Sequence, residues 1–292
     1  MIERMKEEYG FKQASLESKH QLNTEKGIKQ ICYWEDEACL KWHMEWRDNC
    51  SVAPYVMMNR MLRTVEGAAY MEEDNQFISL HDEVPTGQRE DQDEKRWGEI
   101  LGLMIQAGRK DQSMISLPKE LSSDYPILEQ ATREQRLFFR TLFQEANHRL
   151  TMAKKIVKSD EMTVPKMDSF TELTGSFRGH MLVVQGSVKK PEYGYQSFKA
   201  FLKSWYERKD EASLHALLNE LDKQATLTAN ERKAIMATVL IPDELDTLLR
   251  GSAASNGQAF SELIDHLKRE WDKTQSFASA LAKWLDAKKV TT

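Results

Sequence analysis

Apolar positions recur every three or four residues along most of this chain, with charged positions between them. That period marks helices with one buried face. A long amphipathic helix is predicted from about Thr24 to Asp48, and a methionine-rich helix from about Pro54 to Met71. Residues 72–94 are the most polar stretch and read as a long loop, in which Gln76–Leu80 could form a short strand. Another helix is expected from about Asp91 to Ala107. Pro126 suits the first turn of the longest helix, which continues to about Lys158. A helix is also expected from about Ser169. The following GHMLVVQGSV stretch is the best strand candidate of the second half, although Val183 and Val184 also suit a buried helix.

Lys189 to Gly194 reads as a linker. Beyond it the pattern predicts short helices at about Gln196–Arg208, Glu211–Ala225, Ala229–Leu240, Asp243–Arg250, Gly257–Lys273 and Phe277–Lys288. Thr228 and Glu231 form a T-x-x-E capping box, in which each side chain satisfies an amide of the first turn. Pro242 opens one helix and Gly251 closes it. The expected fold is all-α, with an N-terminal helical domain over residues 1–190 and a C-terminal bundle of short helices over 191–292.

Composition agrees with a folded helical chain. Of 292 residues, 40% are hydrophobic, while Gly (13) and Pro (7) are too scarce to punctuate many strands. No apolar run reaches the roughly 20 residues that span a bilayer. The charged N-terminus MIERMKEEYGFKQ does not read as a signal peptide. Three cysteines make a disulfide framework improbable, so a reducing, cytoplasmic setting without membrane association is expected. The net charge of −5 is uneven: residues 1–100 carry 13 basic and 21 acidic side chains, residues 101–200 carry 15 and 11.

All three cysteines fall in one window with a histidine, Cys32, Cys39, His43 and Cys50, in the spacing C-x6-C-x3-H-x6-C. These are zinc-ligand types, and zinc is the one cofactor the sequence suggests. On a continuous helix, however, they would lie about 10.5, 6 and 10.5 Å apart along the axis. Only Cys39 and His43 could then share a metal, so the stripe reads as a buried seam with Ile28, Trp42 and Trp46. His81 or His148 could complete a half-site, and a break near Asp36 would revive the zinc reading.

The segment Arg133–Lys158 carries seven basic and two acidic residues. On a helical wheel Arg133, Arg136, Arg140, Lys154, Lys155 and Lys158 share one face, opposite an apolar face with Phe139, Leu142 and Leu150. Arg178, Lys189 and Lys190 could extend this patch into a phosphate-tracking ridge for nucleic acid. The alternative is a solvated or protein-facing surface that pairs with the acidic first third. Asp82 with Asp93, Glu94 and Lys95 fits a metal-nuclease pattern only loosely, because that chemistry wants adjoining strands. G-x-G-x-x-G, G-K-[ST], G-x-S-x-G and H-E-x-x-H are absent.

With no assigned catalytic residue, the sequence favours a non-catalytic helical subunit of a larger assembly, acting through a protein partner or as a homo-oligomer. A sequence-nonspecific nucleic-acid-binding protein is the alternative, and a metal-dependent nuclease or zinc protein the second alternative.

Overall fold

The computed structural model describes residues 1–84, 93–121, 125, 129, 131–170, 173–251 and 257–289. In chain order the elements are α1 (Ile2–Tyr9), β1 (Ala14–Ser18), β2 (Gln21–Thr24), β3 (Gly27–Trp34), α2 (Glu37–Asn49), β4 (Val56–Met58), β5 (Met71–Glu73), β6 (Gln76–Asp82), α3 (Glu94–Gly108) and β7 (Gln112–Ser116). They continue with α4 (Arg133–Val157), β8 (Glu161–Met167), β9 (Thr174–Arg178), β10 (Met181–Gln185), β11 (Glu192–Tyr193), α5 (Gln196–Arg208), α6 (Glu211–Ala225), α7 (Ala229–Leu240), α8 (Asp243–Gly251) and α9 (Gly257–Lys289). The all-α expectation is therefore wrong: three sheets are present among the described residues.

Two compact units divide the chain. One comprises Met1–Asp111, Pro165–Tyr193 and Ala216–Thr226; the other comprises Gln112–Val164, Gly194–His215 and Leu227–Thr292.

The first unit contains an antiparallel sheet ordered β1-β2-β3-β6-β5. β5 and β6 are joined through Asp74 and Asn75, both at positive φ (52° and 60°). Consecutive left-handed residues twist a two-residue hairpin turn the way the strands twist, and Asp and Asn tolerate that region. Alternation along β3 sends Ile31 to one face, where it packs with Met5, Tyr9, Leu22, Ile78 and Leu80. Cys32 and Trp34 go to the other face, with Cys39, Leu40, Met61 and Ala69. Both faces of the strand are thus covered, and the polar-out alternation of a half-exposed strand is lost.

That coverage explains the misread Thr24–Asp48 helix. The segment is a strand, then a helix whose N-cap, Asp36, accepts from the Cys39 amide at 2.6 Å. The methionine-rich segment is not a helix either. It contributes β4, which lies parallel to β10, while β10 pairs antiparallel with β9. Among the described residues, Ser169 and Phe170 are not helical. The strand expectation at Gln76–Leu80 is met by β6, and that in GHMLVVQGSV by β10. In α3, a Cβ added at Gly98 would lie 2.5 Å from the Leu217 carbonyl oxygen, so a close helix approach requires glycine there. A third sheet has the order β11-β8-β7, and β8 passes from the second unit into the first after Val164.

The second unit is built mainly from helices. α4 opens on a capping box between Thr132 and Gln135; Pro126 lies outside the described residues. α7 opens on the expected box between Thr228 and Glu231. One core joins Phe139, Leu142 and Ala146 of α4 to Leu245 and Leu249 of α8 and to Leu263, Ile264, Leu267 and Trp271 of α9. The two final predicted helices are continuous as α9. Among the described residues, no helix is long and apolar enough to cross a membrane.

Candidate functional site

The first unit buries a polar cluster between its main sheet, α2 and the segment around β10. Side-chain periodicity assembles it. His43 and Arg47 are one turn apart on α2, so both face the sheet. Ser79 and His81 are two apart on β6, as Cys32 and Trp34 are on β3, so they meet α2 on the same side. Asn59 follows β4, Asp168 follows β8, and Gly186 and Ser187 follow β10. His43, Arg47, Asn59, Ser79, His81 and Asp168 are all buried.

Arg47 is the hub. One terminal nitrogen, Nη1, donates to the Asn59 carbonyl at 3.1 Å and reaches His81 Nδ1 at 2.8 Å, while Nη2 donates to the Ser187 carbonyl at 2.7 Å. His81 Nδ1 also lies 3.0 Å from the Asn59 carbonyl, so it faces an arginine donor and a carbonyl acceptor at once. His81 Nε2 lies 2.9 Å from Ser79 Oγ, which accepts from Trp34 Nε1–H at 2.8 Å. Burial, and next the Arg47 charge, push the His81 pKa well below the ordinary histidine value.

Asp168 supplies the opposing charge through Ser187. Its carboxylate accepts from the Ser169 amide (2.8 Å), the Ser187 amide (2.9 Å) and the Ser187 hydroxyl (2.5 Å). Ser187 therefore bridges Arg47 to Asp168 with its carbonyl on one side and its donors on the other. His43 Nε2–H donates to the Lys189 carbonyl at 2.7 Å. Its Nδ1 is buried without a hydrogen-bond partner, 3.9 Å from Asp168 Oδ2. Burial holds His43 below the usual pKa, while Asp168 opposes that shift. A neutral His43 thus turns a lone pair toward a carboxylate, and protonation would place a donor there.

A groove of about 620 Å³ opens in the same unit beside this cluster. Asn59 links the two: its Oδ1 accepts from the Gly186 amide at 2.9 Å, and its buried Nδ2 lacks a partner. Met57, Met61 and Val183 line apolar parts of the groove, and Arg60, Arg63 and Arg178 line it with positive charge. Arg178 donates to the Glu83 carbonyl at 2.6 Å and lies 4.0 Å from Asp82; Arg63 lies 3.7 Å from Asp48. Asp82 is held at 2.7 Å by buried Lys29 of β3. Arg60 makes no ion pair among the described residues. The groove presents guanidinium groups, donors that suit phosphate oxygens.

Sequence reasoning placed Cys32, Cys39, His43 and Cys50 on one helix. The chain instead breaks before Asp36, putting Cys32 on β3, Cys39 and His43 on α2, and Cys50 at its C-cap. All three thiols are free and buried. Burial pushes Cys32 up to about 11 and Cys50 well above the usual thiol value. Among the described residues, no three His, Cys, Asp or Glu groups converge to hold a metal.

Six of the basic-face residues lie on α4 or, as Lys158, at its C-cap. Arg133, Arg140, Lys155 and Lys158 are exposed on the second unit. Arg136 donates to the Ala131 and Glu129 carbonyls, and Lys154 engages the Lys119 carbonyl and Asp160. Arg178, Lys189 and Lys190 belong to the first unit. Asp82 ends β6, whereas Asp93 caps α3. Arg47, Asn59, Asp168 and Ser187 escaped the sequence reading, because they come from four distant segments without a shared motif.

The arrangement defines a kinase-like α/β fold. No protein-family model and no curated protein matches the chain. Among solved structures, an aminoglycoside phosphotransferase from Alicyclobacillus acidocaldarius subsp. acidocaldarius DSM 446 is similar with a TM-score of 0.59 at 10% identity, over 96% of this chain and 95% of that one. The spectinomycin phosphotransferase APH(9)-Ia, in complex with ADP and spectinomycin, gives 0.49 at 11% identity over 97% of each chain. A microcompartment-associated aminopropanol kinase gives 0.46 at 10% identity over 97% and 96%. The first of these carries the assignment of fold. It stands against the reading of the chain as a non-catalytic helical subunit.

Proposed function

We propose that this protein catalyses phosphoryl transfer to a small molecule, with the groove of the first unit receiving the phosphate donor. The full-length likeness to an aminoglycoside phosphotransferase carries this reading. Arg60, Arg63 and Arg178 support it, because phosphoryl transfer depends on positioning and neutralising phosphate oxygens rather than on a covalent intermediate.

The machinery departs from that of protein kinases. H-R-D, D-F-G and the glycine-rich loop are absent from the sequence. Lys29 lies on β3 but pairs with Asp82 of β6 rather than with a helix glutamate. Asp168, buried and saturated by serine donors, holds the Arg47 cluster in place and is not assigned as the base. Asp48 and Asp82 lie near cations, so the groove residues fit phosphate better than a divalent ion.

The test is titration calorimetry with ATP and GTP, followed by ³¹P NMR of mixtures containing a panel of aminoglycosides. Saturable nucleotide binding with a new phosphomonoester resonance is the expected result. Reversing Arg60 and Arg178 to glutamate should weaken nucleotide binding by about tenfold or more, the effect of one lost charge-assisted hydrogen bond. Absence of both nucleotide binding and product would overturn the proposal.

A further inference from the structure

The second unit has a groove of its own, about 680 Å³, formed by α4, α7 and α9. Its volume falls within the roughly 300–1,000 Å³ of small-molecule sites, and such sites are apolar with a few polar groups that fix orientation. α7 explains why the groove exists. Ala234, Ile235, Ala237 and Thr238 are buried on its core side, yet Met236 and Leu240 are apolar and only half-buried. They meet Met152 and Ile156 of α4 and Leu285 of α9 along the groove. Methionines at 152 and 236 give a wall that adapts to flexible chains.

Charge selects the occupant. Arg149 at the groove is matched by Glu244 at 2.5 Å and stacks on Trp271, so its charge is spent within the unit. Arg232 and Asp286 also line the groove, each engaged in an interaction within the protein, whereas Lys233, one turn from Met236, makes no ion pair among the described residues. An apolar body along the methionines with an anionic head at Lys233 satisfies both features. We infer that this groove binds a fatty-acid-like carboxylate, independently of any phosphoryl transfer in the first unit.

Titration of the full chain with dodecanoate, dodecanol and dodecyltrimethylammonium, each kept below micelle formation, tests the assignment. Dodecanoate should bind saturably, and the alcohol about tenfold more weakly for want of the charge-assisted contact. Lys233→Glu, a change at a half-buried position with no ion pair to break, should remove the preference for the anion. Met236→Trp should fill the groove and cut dodecanoate binding at least tenfold, with circular dichroism showing that the variant is folded. Three results would overturn the inference: no dodecanoate binding, equal binding of all three probes, or dodecanoate affinity that survives both variants. Binding of an acidic amphipathic peptide in place of dodecanoate would overturn it too.

Discussion

The two units solve opposite problems with their interiors. The first buries an arginine, two histidines, an asparagine and an aspartate in one connected cluster beside a cation-lined groove. The second closes its core with phenylalanine, leucine and tryptophan and leaves apolar residues along its groove. A buried polar cluster fixes geometry, because each donor accepts few alternative positions, but it makes the unit sensitive to any change in charge. An apolar core tolerates pH and is sensitive to volume. The contrast predicts which perturbation each unit should feel.

The largest effect should come from breaking the charge balance. Asp168→Ala leaves Arg47 buried without its counter-charge and frees the Ser187 amide and hydroxyl. Each buried donor left unpaired costs about 1–3 kcal/mol, and more where it is charged. Urea unfolding followed by tryptophan fluorescence should show that loss. The paired variant Arg47→Met with Asp168→Leu should recover much of it, since removing both charges avoids the orphan. A double variant no more stable than Asp168→Ala alone would show that these two charges do not act as a couple.

Acid should act next, and on the first unit. His43 and His81 have folded-state pKa values below the ordinary value, so the unfolded chain takes up protons before the folded one does. Their contribution is fully present above about pH 6.5 and is lost as pH falls below it, at up to about 1.4 kcal/mol per histidine per pH unit. Urea midpoints measured between pH 7.5 and 5.5 should fall accordingly. His81→Asn should flatten the slope, and an unchanged slope would remove His81 from this role.

The same contrast decides what the sequence reveals. Helices of the second unit have one buried stripe, so α5 lies where the apolar period places it and α7 where that period and the Thr228–Glu231 box place it. The first unit covers both faces of its sheet. Ile31 answers to α1 while Cys32 and Trp34 answer to α2, and the resulting run GIKQICYW loses its period of two. Asp36 was the one local sign of a break, as an N-cap three residues before Cys39. Nothing local marks the cluster: Arg47 and Ser187 lie 140 positions apart and meet through a backbone carbonyl. A side chain that uses backbone partners leaves no residue-type pattern at the far end.

The smallest expected effect tests whether the second unit is as local as its sequence. Thr228 Oγ1 accepts from the Glu231 amide at 3.2 Å, and Glu231 Oε2 accepts from the Thr228 amide at 2.8 Å. Thr228→Ala removes the first bond but keeps the second, and should cost about 1 kcal/mol, as N-cap losses do. Glu231 is buried and also accepts from the Thr228 hydroxyl at 2.9 Å, so truncation leaves a carboxylate oxygen with one donor fewer. Hydrogen exchange should rise in the first turn of α7 and leave α2 and β6 unchanged. Loss of protection in α2 as well would mean that the units unfold together, and the division of sensitivities between them would not hold.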